Sequence, residues 1–119
     1  MSFRNLIEGM RRKDPAIRGV ALAGADGLAV DEWQASPQLL DLSALCAEMA
    51  QFFKESSRIA GENGLGAARE VYVAGDEGSI FAARVTEEYL LLLVADPAAI
   101  PGKCRFHLRQ TARLAKELL

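Results

Sequence analysis

The sequence predicts a three-layer α/β/α sandwich, an α/β (α+β) fold in which three helices and a five-stranded antiparallel sheet follow the order αββαβββα. Three observations predict it. The segment from Tyr89 to Ala95 is apolar at every position, whereas a strand with one wet face alternates polar and apolar residues, so both its faces must be covered. The connections Gly75-Asp76-Glu77-Gly78 and Thr86-Glu87-Glu88 are short enough to force antiparallel neighbours. Apolar residues at helical spacing recur before, between and after the strands, which supplies the covering layers.

Taken in order, Ser2 is placed to cap a first helix in which Phe3, Leu6, Ile7 and Met10 share one side. Asp14-Pro15 ends it, because the residue before proline avoids the α region. Ile17 to Ala23 and Leu28 to Trp33 read as strands, joined by Gly24-Ala25-Asp26-Gly27, residues able to take positive φ in a hairpin turn. Ala35 to Leu40, which holds Ser36-Pro37, reads as a loop. Asp41 then caps a long second helix with Leu42, Leu45, Cys46, Met49, Phe52, Phe53 and Ser56 on one face. Gly61-Glu62-Asn63-Gly64-Leu65-Gly66 reads as its C-cap and exit loop.

Three strands follow: Arg69 to Ala74, Ser79 to Val85, and Tyr89 to Ala95. The first of them puts the charge of Glu70 on one face and short apolar side chains on the other, as suits a sheet edge or an edge that meets another subunit. Asp96-Pro97 and Pro101 introduce a terminal helix to Leu119, with Cys104, Leu108, Ala112, Ala115 and Leu119 as its apolar stripe. The second helix is expected on one face of the sheet and the first and third on the other.

At 119 residues the chain fits a single domain, 1–119, large enough to bury a core without metals or disulfides. Cys46 and Cys104 belong to no CxxC pair and read as buried free thiols. A net charge of -2 gives no reason to expect attraction to nucleic acid or to anionic lipid. The N-terminus has isolated apolar residues before a basic cluster rather than a continuous apolar region, so no secretory signal is read and the expected localisation is cytoplasmic. The longest apolar run is far short of the roughly 20 residues that a spanning helix needs, so no membrane insertion is expected.

An enzyme is not expected. His107 is the only histidine and stands beside Leu108 in the terminal helix, where a surface or partly packed role is the expectation. No GxxxxGK[ST], GxSxG or HExxH occurs, and Gly64-Leu65-Gly66 lacks the preceding strand and following helix that phosphate cradling needs. Asp26, Asp31, Glu32 and Asp96 sit at turns and strand ends, where Asp serves as a turn former, and compose no metal set. No catalytic residue, metal ligand or cofactor is assigned.

Several stretches together resemble the roadblock/dynein light chain superfamily over nearly the whole chain. Val20-Ala21-Leu22-Ala23-Gly24-Ala25-Asp26-Gly27-Leu28-Ala29-Val30 looks like its first hairpin. Gly78 opening one strand and Tyr89 beginning a leucine-rich one are similar to its meander. From Ile100 to Leu114, Gly102 and Arg105 fall where the family pattern has them, although Pro101-Gly102-Lys103-Cys104 departs from the usual Leu-Gly followed by aliphatic residues. The fold expectation is therefore roadblock/profilin-like.

The resemblance implies a homodimer in which two sheets join through the third strand, at Val71, Tyr72 and Val73, and the second helices pack side by side at Met49, Phe52 and Phe53. The residues agree to this extent: Met49, Phe52 and Phe53 give the helix a wider apolar arc than one sheet face needs, unless all three fill the core of the monomer. Similarity to the bacterial gliding-motility subset, the mutual gliding protein B type, further implies a small Ras-like GTPase as partner. Stimulation of its hydrolysis, as by a GTPase-activating protein, is the additional expectation, with nucleotide and magnesium supplied by the GTPase. The expected contact surface is the exposed side of the second helix, Gln51, Lys54, Glu55, Arg58 and Glu62, whose plainer reading is a solvated face held by pairs four residues apart. An arginine finger at Arg58 or Arg84 is not expected, since the resemblance implies that the GTPase switch regions are reshaped instead. The alternative is a non-enzymatic scaffold or ligand-sensing dimerisation module. For that reading Arg105, Arg109, Arg113 and Lys116 lay a basic stripe along the last helix, weakened by Glu117 and the negative total.

Overall fold

A computed structural model describes residues 2–36 and 40–119, and the elements follow the expected order. Helix α1 (Phe3–Lys13) leads into β1 (Ile17–Gly24) and β2 (Ala29–Gln34), then α2 (Leu42–Glu62), β3 (Glu70–Gly75), β4 (Gly78–Arg84), β5 (Tyr89–Ala95) and α3 (Pro101–Lys116). The Ser2 hydroxyl accepts the Asn5 N–H at 3.2 Å, and Asp41 Oδ1 accepts the Ala44 N–H at 3.1 Å, so two helices start where a side chain satisfies an orphan donor. Part of the expected loop from Ala35 to Leu40 lies outside the described residues.

All neighbours in the sheet are antiparallel and its order is β2-β1-β5-β4-β3, which puts the leucine-rich β5 at the centre. Successive β5 side chains point to opposite faces. Leu91, Leu93 and Ala95 enter a core with Ile7, Met10, Val20, Phe81 and Leu108 beneath α1 and α3. Leu90 and Leu92 enter a second core with Ala21, Ala23, Cys46, Met49 and Phe53 beneath α2. These are the two covered faces that a strand without alternation demands, and they make the molecule three-layered. One free thiol sits in each core, and burial pushes the Cys46 thiol up to about 11.

Two glycines are held by geometry. Gly27 has φ 92° in the β1–β2 turn, where a Cβ would stand 3.1 Å from the Ala47 Cα of α2, and so the hairpin packs against that helix only without a side chain. Gly78 opens β4 with φ 152°, and a Cβ there would meet the Ala95 carbonyl oxygen at 2.8 Å. The C-terminal ends of two expected helices shift slightly. Gly61 stays inside α2, and left-handed geometry is taken by Gly64 at φ 74° after the Asn63 cap. The terminal helix stops at Lys116 rather than Leu119. Its last bonds, Glu117 N–H to the Leu114 carbonyl and Leu118 N–H to that of Ala115, tighten to three-residue spacing, which turns Leu119 off the apolar stripe into solvent.

Candidate interaction surface

The apolar arc of α2 divides. Met49 and Phe53 are each 4% exposed and fill the core beneath the helix, whereas Phe52 is 42% exposed. Leu45, Phe52 and Ile59 are seven residues apart, so they line one flank of the helix, with Ile59 49% exposed. Ile59 is absent from the residues singled out by sequence, although the seven-residue repeat is the signal that marks it.

Strand β3 is an edge of the sheet. Val71 and Val73 oppose Ala82 and Ile80 of β4, and Ala82, Ile80 and Val71 pack in the α2-side core, so both valines face the side that α2 covers. Val73 is left 39% exposed. Tyr72 points to the other face and stacks on Phe81, with ring centroids 4.5 Å apart. The opposite edge, β2, carries Asp31 and Glu32 and is tied to α1 by the Arg4–Asp31 ion pair at 2.8 Å. From Val71 to Ala74 the β3 edge has no charge at all, and an uncharged edge lacks the usual device against pairing with another chain.

Gln51, Lys54, Glu55 and Arg58 are exposed along the outer side of α2. The Arg58 guanidinium bonds both Glu55 and Glu62, reaching Glu62 at 2.8 Å, and these two carboxylates raise its pKa while it lowers that of Glu55. Lys54 joins no ion pair among the described residues.

The remaining polar candidates are placed as follows. His107 is buried rather than at the surface, because it faces α1 beside a crevice of about 280 Å³ lined by Leu6, Met10, Lys13 and Thr111. Its Nε2 has no hydrogen-bond partner among the described residues, and burial foremost lowers its pKa. Asp26 and Asp96 accept backbone N–H groups two residues on, from Leu28 at 3.1 Å and Ala98 at 2.9 Å, as turn formers do. Among the described residues no three His, Cys, Asp or Glu gather as a metal-holding group. None of the described helices is long and apolar enough to cross a membrane. On the face away from α2, Arg109, Arg113 and Lys116 of the basic stripe line a recess together with Arg69 and Arg84, two residues that sequence spacing could not bring to the helix.

Comparison with known proteins gives a family and a fold. The Roadblock/LC7 domain family model matches residues 6–95. A solved structure of MglB with a tetrameric arrangement is 22% identical, with a TM-score of 0.89 over 97% of this chain and 85% of that one. The gliding protein MglB from Thermus thermophilus is 21% identical, with a TM-score of 0.89 over 97% of this chain and 86% of that one. MglC from Myxococcus xanthus is 28% identical, with a TM-score of 0.69 over the full length of both chains. No curated protein matches the chain in sequence.

Proposed function

The chain belongs to the Roadblock/LC7 domain family, and from that premise we propose that it is a dimeric cytoplasmic regulator of a small Ras-like GTPase, with no active site of its own. The observation that carries the reading is a half-exposed apolar flank of α2 on the same side of the sheet as an uncharged free edge. Leu45, Phe52 and Ile59 run along the helix, and Val71 and Val73 face the same side of the sheet from β3. A second copy related by a two-fold axis would cover the helix flank with its own and extend the sheet through β3, since such an interface is self-complementary. Met49 and Phe53 then support the seam from beneath, and Phe52 is the residue that enters it. MglB has been solved in a tetrameric arrangement, which supports self-association as a habit of this fold.

Pairing through the flank leaves the outer side of α2 free, so Gln51, Lys54, Glu55 and Arg58 from two adjacent helices would compose one polar platform. That platform is the surface offered to the GTPase, which brings its own nucleotide and magnesium. Regulation then works by fixing the conformation of the switch segments, because Arg58, the one arginine of that face, is already engaged by two carboxylates. The test is to measure the solution mass, expected at about twice 12.9 kDa, and then to titrate the protein into a small Ras-like GTPase of the same genome loaded with GTP. Binding with faster hydrolysis is the expected outcome. A dimer that neither binds nor changes the rate would leave a scaffold, and a monomer would remove the reading altogether.

A further inference from the structure

We propose that the recess between α3 and the open end of the β3–β4 hairpin is a docking site for a carboxylate-rich, extended segment of a partner protein. This does not rest on the GTPase reading, for α3, which supplies three of the cations, covers the opposite face of the sheet from α2. Five basic residues from three parts of the chain line about 820 Å³: Arg69 before β3, Arg84 at the end of β4, and Arg109, Arg113 and Lys116 along α3. Only Glu70 and Glu87 oppose them there, in a chain whose total charge is -2. Like charges are thus gathered where the rest of the surface is acidic, an arrangement that costs repulsion until an anion arrives.

One carboxylate already shows the mode of engagement. Glu70 Oε2 accepts a bond from Arg109 Nε at 2.6 Å, while Arg69, Arg84, Arg113 and Lys116 make no ion pair among the described residues. Four of the five cations are arginines, whose planar forks match carboxylates. The helical rail from Arg109 to Lys116 is about 10 Å long at 1.5 Å per residue, the length of about three residues of extended chain. A single small anion would leave most of that rail unused. The lining has no aromatic side chain on which a base could stack, which disfavours nucleic acid. The site is a recess between two elements, and a flat bilayer meets its rim before its floor.

The probe is a fluorescently labelled octaglutamate peptide, with octaglutamine as the neutral counterpart, read by fluorescence anisotropy on the whole chain. Octaglutamate should bind at low salt and octaglutamine should not, with affinity falling as salt approaches about 0.3 M and shortens the screening length. Arg84→Glu with Arg113→Glu should weaken octaglutamate about tenfold or more, while Arg12→Glu, the same kind of charge reversal at one exposed position of α1, should alter it by less than about twofold. If the double variant fails to fold by circular dichroism, Arg84→Gln with Arg113→Gln serves in its place. Equal weakening by Arg12→Glu, indifference between the two peptides, no binding at all, or capture by phosphatidylserine vesicles in preference to octaglutamate would each overturn the proposal. The dimer mass is unchanged in every arm, which keeps this result separate from that of the α2 surface.

Discussion

The imidazole of His107 is shut between α1 and α3 with Nε2 unpaired, and burial lowers its pKa below the ordinary 6.5 more than Asp14 raises it, with Lys13 and Lys103 adding to the lowering. Above that pH the group is neutral in folded and unfolded chains alike and adds nothing to the pH dependence of stability. As pH falls below 6.5 the unfolded chain binds a proton that the folded chain refuses, so stability declines until the folded pKa is also passed. His107→Leu should therefore lose less stability than the parent when urea midpoints are compared between about pH 7.5 and pH 5. Identical pH dependences would assign the loss to carboxylates elsewhere. Arg58 poses the other residue-scale question. An arginine finger is worth on the order of 10³ to 10⁵ in rate. A guanidinium held by Glu55 and Glu62 is not poised to insert, so on the proposed reading Arg58→Ala should slow regulator-stimulated GTP hydrolysis by no more than about tenfold, in proportion to lost binding. Single-turnover hydrolysis at saturating regulator decides it, and a thousandfold loss with binding intact would make Arg58 the finger.

Helix α2 has a core side and a half-exposed apolar flank that the proposal makes a seam, and only the first was legible before the structure. Its core side was readable from Leu42, Cys46, Met49 and Phe53, which keep helical spacing and are buried as that spacing requires. The seam was not, because Phe52 and Phe53 are adjacent and equally apolar in sequence, and the direction in which α2 crosses the sheet decides which one is buried. Strand β3 behaves likewise. The charge of Glu70 on one face and short apolar side chains on the other suited an edge, but that β3 lacks the charges of the other edge matters only once β2 is known to be the other margin. The basic recess was least legible, since Arg69, Arg84 and Arg113 have no sequence relation and only the fold brings them together. For the seam the element-scale prediction is direct. Phe52→Glu places an exposed charge on the monomer, which the fold tolerates, but a desolvated charge in a helix pair, which should cost several kcal/mol. Light scattering should show the mass halve for Phe52→Glu and for Val73→Lys, with Lys54→Ala as a control that stays paired. A dimer undisturbed by both changes would move the interface elsewhere.

At the scale of the whole molecule, the order of elements was readable because each layer leaves its own mark. An unalternating β5 requires two covers, short turns require antiparallel neighbours, and three helical periods supply the covers. What no single chain encodes so openly is how complete it is alone. One face of the sheet is roofed by two helices and the other by α2 only, and the uncovered part is where Val73 and Ile59 meet solvent. If that strip is buried against a second copy, as proposed, folding is coupled to association and stability depends on protein concentration. For unfolding of a dimer to two chains, each tenfold rise in concentration adds about 1.4 kcal/mol per dimer at 25 °C. With an unfolding entropy of about 2.1 cal/mol/K per residue over two chains, a hundredfold rise should lift the Tm by about 5 °C. Differential scanning calorimetry across that range should find this shift in the parent and none in Phe52→Glu, whereas a parent Tm independent of concentration would mean that α2 and β3 are finished surfaces in the monomer.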